Sequence, residues 1–468
     1  MSIQNRDELS FATVTELGRQ IRSGGASPTE LAEHFLERLD WIGRQLNAVV
    51  TLTPELALAQ AAQAEDELAA GIDRGPLHGI PYGAKDLLAV SGYPTTWGAA
   101  PFAEQRFDHE AAVVERLREA GAVLVAKLAM VELAGGFGYE QPNAALTGPG
   151  RNGWDDGSWA GGSSSGSGAA VAAGCVPFAI GTETWGSIHC PSAFNGITGL
   201  RPTYGRVSRR GAMALSWTMD KIGPMARTAE DCAAVYTTIA GPDSADPPTL
   251  LQKDAPPDHG EPFRFGVVRG GFEHAQPEVV ANAEASLDVL REIGTVEEVE
   301  LPDFPWDAAA STVVIAEAAS AFEEFITEGK AAGLTAPEDR AGLYHGLTIP
   351  AVDYIRALRI RRAGGRAMDQ LLIRYDVLVA PTYPHVAPPI DQPFATYFDR
   401  EQRRNLGGLG NLCGLPSISV PNGFGERGLP TGLELLGRAY GEERILAAAR
   451  AFQHKTDWHT NYPSQRAI

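Results

Sequence analysis

Cysteine is scarce in this chain: Cys175, Cys190, Cys232 and Cys413 stand far apart and form no C-x-x-C pair. That spacing signals neither a disulfide framework nor a zinc site, and leaves the four as small buried hydrophobes. The ten histidines show no H-E-x-x-H or comparable ligand spacing, so no metal is expected, and no motif asks for a cofactor. Basic residues are outnumbered, 39 Lys and Arg against 58 Asp and Glu, for a formal net charge of -19. This argues against a nucleic-acid partner, whose phosphates are neutralised by clustered Lys and Arg. Long apolar runs are missing too. Nothing approaches the roughly 18 residues that suggest a membrane span, and Met1 to Asp7 has no apolar signal core, so a cytoplasmic protein with no membrane contact is expected. What the chain does have is 468 residues with 44% apolar and 21% charged content, enough to bury a large core.

Local patterns alternate helix and strand. Residues 1–70 read as a helical lead-in packed on the core, with Ser27-Pro28-Thr29-Glu30 as a capping box and Leu31, Phe35 and Leu39 at helical spacing. Residues 111–120 predict a helix stopped by Gly121, and 122–126 a buried strand. A strand at 263–268, a helix at 278–293 and a strand at 296–301 give a β-α-β rhythm. Strands at 375–380, 416–420 and 432–436 and a helix at 442–452 complete an α/β class. The Pro- and Asp-rich stretch 241–262 predicts a surface connection. Residues 305–370 are largely helical, and the part around 305–400 is expected to be variable and substrate-facing.

The chemistry concentrates elsewhere. Gly161 to Gly174 begins as a small-residue loop and ends as an alanine-rich helix, exposing backbone N–H groups where the helix starts. A phosphate loop would need G-x-x-x-x-G-K-[ST], and the lysine is absent. Gly162-Ser163-Ser164-Ser165-Gly166 matches G-x-S-x-G, but that elbow must follow a strand, and Asn152 to Trp159 are turn formers. A flexible linker is excluded by the run into Ala169 to Ala173 and the strand-like Val176 to Ile180.

The next segment decides among these. Gly181-Thr-Glu-Thr-Trp-Gly-Ser-Ile-His189, continuing to Val207, resembles the amidase signature, usually GTDTGGSIRxPAAFCGxxGLKPTYGRVS. The Gly161 loop resembles that family's GGSSGGS, and Gly79-Ile-Pro-Tyr-Gly-Ala-Lys-Asp86 its G-x-P-x-x-x-K-D. Ala126 to Glu132, Asp220 to Thr228 and Leu429 to Arg438 agree as well, so the resemblance spans roughly residues 10 to 455, with core motifs at 79–228 of a catalytic part covering 71–468. The resemblance implies one α/β domain with a mixed, mostly parallel sheet sandwiched by helices. It makes Lys85 the base, Ser163 a proton relay behind a cis peptide bond, and Ser187 the nucleophile.

Elementary chemistry supports those roles. A serine hydroxyl attacks well only when a base takes its proton, and a lysine becomes a base when burial disfavours its ammonium. Backbone N–H groups of Thr184, Trp185, Gly186 and Ser187 can converge on the negative charge that develops on a carbonyl oxygen. Against the family pattern, Trp185 stands for glycine, His189 for arginine, Glu183 for aspartate and Ser165 for glycine, and no catalytic group is lost. Trp185 either walls the acyl pocket or points into the core; in the first case Gly135 and Gly136 would line the opposite wall. His189 reads as a core histidine, with a pH-sensitive pair to Glu183 as the alternative.

The resemblance thus implies an amidohydrolase cleaving a small amide through an acyl-enzyme. Carbamate (urethane) hydrolysis, or the role of amidase subunit in a glutamine-dependent tRNA amidotransferase, is the alternative. The partner expected is a small-molecule amide or carbamate and no nucleic acid; a homodimer is compatible with the sequence. Retention of Lys85, Ser163 and Ser187 speaks against a binding protein with a relict site.

Overall fold

Strand-forming segments from both ends of the chain meet in one sheet. The computed structural model describes residues 8–251, 260, 262–397 and 406–464. Its strands are β1 (Val49–Leu52), β2 (Pro81–Lys85), β3 (Val123–Leu128), β4 (Phe178–Glu183), β5 (Thr198–Arg201), β6 (Lys221–Ala226), β7 (Phe263–Val268), β8 (Gly294–Val299), β9 (Val377–Pro381), β10 (Ser417–Phe424) and β11 (Pro430–Gly437). They lie in the order β1-β3-β2-β4-β6-β5-β10-β11-β9-β7-β8, so the α/β molecule is a single domain with no break near residue 245. The sheet is mixed as expected, but only four of its ten pairings are parallel, against the expectation of a mostly parallel sheet. The antiparallel majority comes from the consecutive meander of β10 and β11 and from β5 and β6 flanking it and β4.

Capping chemistry sets several helix starts. Ser27 accepts from Glu30 N–H while the Glu30 side chain reaches back, which opens helix Pro28–Arg38 with proline in its first turn. Thr13 and Glu16 repeat the device for helix Val14–Ser23, and Gly24 closes it at φ 75°. The lead-in is not purely helical, because β1 interrupts it and pairs with β3. The β7–helix Pro277–Ile293–β8 unit forms as read from its periodicity. The stretch after Gly241 is more than a surface connection: Asp246 is buried and bonded to Arg209 at 2.6 Å. Residues 252–259 and 261 of that stretch, Met1 to Asp7, and residues 398–400 of the variable part lie outside the described residues. Among the described residues no helix is long and apolar enough to cross a membrane.

The sheet's geometry prepares a site at one edge. β2 and β4 run parallel, with Ala84 opposite Ile180, so their C-terminal ends, Lys85 and Thr182–Glu183, emerge side by side. β6 runs antiparallel to β4 and begins at the same edge, with Lys221 opposite Glu183. Behind them lies helix Ser165–Ala172, built of Ser, Gly, Ala and Val and buried on every side. Small residues let this backbone approach its neighbours: a Cβ at Gly166 would stand 2.4 Å from the Ala48 carbonyl oxygen and 2.5 Å from the Ala129 nitrogen.

Candidate active site

Lys85 sits wholly buried at the end of β2, and its Nζ lies 2.8 Å from Ser163 Oγ and 2.9 Å from Thr182 Oγ1. Two hydroxyls solvate it, and among the described residues no carboxylate touches it. Burial therefore depresses its pKa from 10.5 to about 7, with Asp220 and Glu183 opposing the shift from a distance. The Gly162–Ser163 peptide is cis. Two hydrogen bonds hold this loop: Ser163 C=O accepts from Val131 N–H at 3.0 Å, and Ser164 N–H donates to Ser187 C=O at 3.2 Å. The second bond joins the relay candidate's loop to the nucleophile candidate's turn.

That turn, Thr184 to Ser187, leaves β4 and re-enters the helix His189–Asn195. Gly186 makes the bend at φ 88°, a value that a side chain would resist. Among the described residues no backbone carbonyl accepts from Trp185, Gly186 or Ser187 N–H. Thr184 is braced on both sides: its hydroxyl donates to Asp220 at 2.6 Å and its carbonyl accepts from Lys221 Nζ at 3.3 Å. Burial raises the Asp220 pKa, against the pull of Thr184 and of the Leu215 and Ser216 amides, which it accepts at 2.8 and 3.0 Å. Burial holds the Lys221 ammonium well below its ordinary value, with the Arg201 charge adding to the effect.

Beneath the turn, Glu183 collects five donors: Ile188 N–H at 2.9 Å, His189 N–H at 3.0 Å, His189 Nδ1 at 2.9 Å, Arg201 Nη1 at 2.8 Å and Asn411 Nδ2 at 2.9 Å. Burial alone would raise this carboxyl, but the His189 and Arg201 charges outweigh it and hold the pKa well below the carboxylate range. His189 is thus buried but is not a plain core histidine; it pairs with Glu183, the alternative open from the sequence.

A cleft of about 220 Å³ opens beside Thr182 and Thr184, lined also by Ala134, Met213, Leu215, Trp217 and Asp220. Met213, Ala214 and Trp217 are shared with a larger cavity of about 780 Å³, walled by Trp97, Phe322, Leu347 and Tyr354. Gly135 and Gly136 are not among the residues lining either cavity: a Cβ at Gly136 would meet the cleft-lining Leu215, and one at Gly135 would meet Tyr139. Trp185 is 37% exposed, so it does not point into the core, and it is not among the residues lining either cavity. Among the described residues no group of three His, Cys, Asp or Glu side chains is placed to hold a metal.

Sequence reasoning passes over several members of this site. Thr182 and Asp220 lie inside the signature motifs and carry that signal. Tyr383, whose hydroxyl would stand 3.1 Å from a Cβ at Gly186, has none, because it arrives from a distant segment. Glu317 also comes from afar, and binds the cleft-lining loop through Ser216 Oγ at 2.6 Å and Thr218 N–H at 2.8 Å.

The amidase family model matches residues 30–446. A glutamyl-tRNA(Gln) amidotransferase subunit from Chloroflexus aggregans is 38% identical, with 97% of this chain and 99% of that protein covered. Among solved structures, one described as a vestigial complex revealing the origins of an s-triazine catabolic enzyme superposes with a TM-score of 0.87 at 31% identity, covering 95% of this chain and 98% of that one. The peptide amidase of Stenotrophomonas maltophilia gives 0.82 at 32% identity, covering 95% and 97%. The relative named for glutamyl-tRNA(Gln) overturns the expectation of a small-molecule partner with nucleic acid excluded. Net charge reports whether a chain's own surface attracts phosphates. It does not report on a substrate carried on RNA or handled within an assembly, and that relative is by name one subunit. By the extent of the family match and the identity of its relatives, the chain belongs to the amidase signature family.

Proposed function

We propose that the chain cleaves a carboxamide through an acyl-enzyme, with Ser187 as nucleophile, Ser163 as relay and Lys85 as base, and that it does so as the amide-cleaving subunit of an amidotransferase. The observation that carries the chemistry is Lys85 itself, fully buried, 2.8 Å from Ser163 Oγ and with a pKa of about 7, so that much of it is a free amine at neutral pH. Ser187 Oγ attacks the carbonyl carbon; its proton passes to Ser163 Oγ, whose own proton moves to Lys85 Nζ. The oxyanion is met by the N–H groups of Thr184, Trp185, Gly186 and Ser187. The relay then runs backwards, the leaving nitrogen takes the proton and departs, and water releases the acyl group. The 38% identity to an amidotransferase subunit over nearly the full length of both chains supports the choice of assembly.

A second reading, hydrolysis of an amide or carbamate with a bulky apolar group, draws on the aromatic cavity of about 780 Å³ that shares a wall with the cleft. In that reading the acyl group sits in the cleft beside Thr182 and Thr184, and Gly135, Gly136 and Trp185 stand outside the lining of both cavities. Ammonia release from glutamine, measured on the purified chain with and without co-expressed partner subunits, tests the first reading. Turnover of anilides and aryl carbamates with no response to glutamine in either preparation would decide for the second.

A further inference from the structure

The buried cluster under the Ser187 turn takes no part in the proton path, yet it is the most heavily bonded group at the site. Two of the five donors on Glu183 are the backbone N–H groups of residues 188 and 189, directly after Ser187. A sixth member, Ser417 on β10, stands 3.2 Å from His189 Nε2 and donates its own proton to Glu434 Oε1 at 2.7 Å. A hydroxyl has a single proton, so with that proton on Glu434 the Ser417 oxygen accepts from Nε2. A carboxylate can only accept, so Nδ1 donates to Glu183. The pattern makes both ring nitrogens of His189 donors and gives the ring the positive charge that an arginine would carry. Arg201 completes the cluster, 2.8 Å from Glu183 and 3.7 Å from Glu434, so two carboxylates face two cations with every group at most 4% exposed.

The lengths of the side chains matter here. Where the usual motif has a short acid and a long base, this chain has the longer acid, Glu183, and the shorter base, His189. The acid has gained a methylene as the base has contracted, and together they close a 2.9 Å contact.

We propose that Glu183 and His189 are a length-matched positioning pair that fixes the turn bearing Ser187, so that neither can be exchanged for its family counterpart unless the other is exchanged with it. The proposal rests on Ser187 as nucleophile. Neither residue touches substrate; they act through the Ile188 and His189 amides and so through the direction in which Ser187 Oγ and the neighbouring N–H groups point. Imprecision at such a turn lowers the rate of attack more than it lowers binding.

The test is a double-mutant cycle of Glu183→Asp and His189→Arg in the full chain, read by the rate of Ser187 acylation with a fluorophosphonate probe and by kcat and KM on a chromogenic amide. Each single exchange is expected to lower acylation and kcat by about tenfold with KM little changed, and the double exchange to recover most of that loss, because contacting residues do not add. Losses that simply multiply in the double variant would overturn the pairing. Should a single exchange prevent folding, His189→Asn, which keeps a donor at the Nδ1 position, is compared with His189→Gln, which places it near Nε2. Asn is expected to retain the greater acylation rate, and equal or reversed rates would overturn the proposal. Failure of the underlying nucleophile assignment looks different: the wild-type probe adduct would then map to a residue other than Ser187.

Discussion

Lys85 on β2 and Lys127 on β3 occupy neighbouring strands, and both are shut away from water. Lys127 lies opposite Ala84, the residue before Lys85, so the two ammonium groups leave the sheet on opposite faces. Lys127 meets Asp86 at 2.8 Å, with the Pro94 carbonyl and Thr95 hydroxyl completing its shell at 2.9 and 2.8 Å. Among the described residues Lys85 meets only the hydroxyls of Ser163 and Thr182. Burial lowers the pKa of both, but on Lys127 a touching carboxylate opposes the shift, whereas the acids that oppose it on Lys85 act from a distance and leave it at about 7. One lysine is a structural cation and the other a candidate base, and the difference is where a single carboxylate points.

The comparison breaks most completely at Lys85. Lys85→Ala is expected to lower amide turnover by about 10²–10⁴-fold, the usual share of a proton-handling group. A matched phenyl ester should lose less, since a phenolate leaves without a proton; parallel kinetics on the two substrates would expose an assignment in which Lys85 is only structural. On the other face, Asp86→Asn should leave Lys127 buried and unpaired and cost about 3–5 kcal/mol of folding stability, read by urea denaturation. Giving Lys85 what Lys127 has is the intermediate experiment. Thr182→Asp should stabilise the ammonium, lower kcat/KM at pH 7 by about tenfold, and push the rise of the pH–rate profile toward alkaline values.

In the unaltered enzyme that profile should rise through about pH 7, because the free amine is the active form. The same shift has a stability counterpart. Between about 7 and 10.5 the unfolded chain keeps the Lys85 proton and the folded chain does not, so folding grows more favourable as pH rises across that window and less so as it falls. Smallest of all, Thr95→Val removes one hydrogen bond from Lys127 and should cost about 1 kcal/mol, with turnover unchanged.

Much of this site is legible because its motifs are local. The lysine, both serines and the turn between them each lie in short runs whose residue types are dictated by backbone approach and hydroxyl chemistry. Their settings are harder to read. Pro81 and Gly83 argue against a strand, yet β2 is one and lies between β3 and β4, with its proline at the first position, where a missing N–H is tolerated. Pro224 similarly disguises β6. Glu183 looks like a conservative replacement, because four of its five donors come from its own motif region but Asn411, Ser417 and Glu434, which complete the cluster, come from more than 200 residues away. The mostly parallel sheet implied by the resemblance is not what forms, since strand direction depends on crossover paths that neither motifs nor periodicity reveal.

The tightness around helix Ser165–Ala172 has an evolutionary meaning. With backbone atoms of other segments at 2.4 and 2.5 Å from where a Gly166 side chain would begin, that position admits no residue larger than glycine without moving the backbone around it. The cavity wall from Met213 to Trp217 and across to the helix Trp306–Ala321 presents side chains to open space and can be rebuilt one residue at a time. A lineage carrying this scaffold is therefore freer to vary the side chains of that wall than Gly166, and a laboratory library aimed at new substrates belongs there.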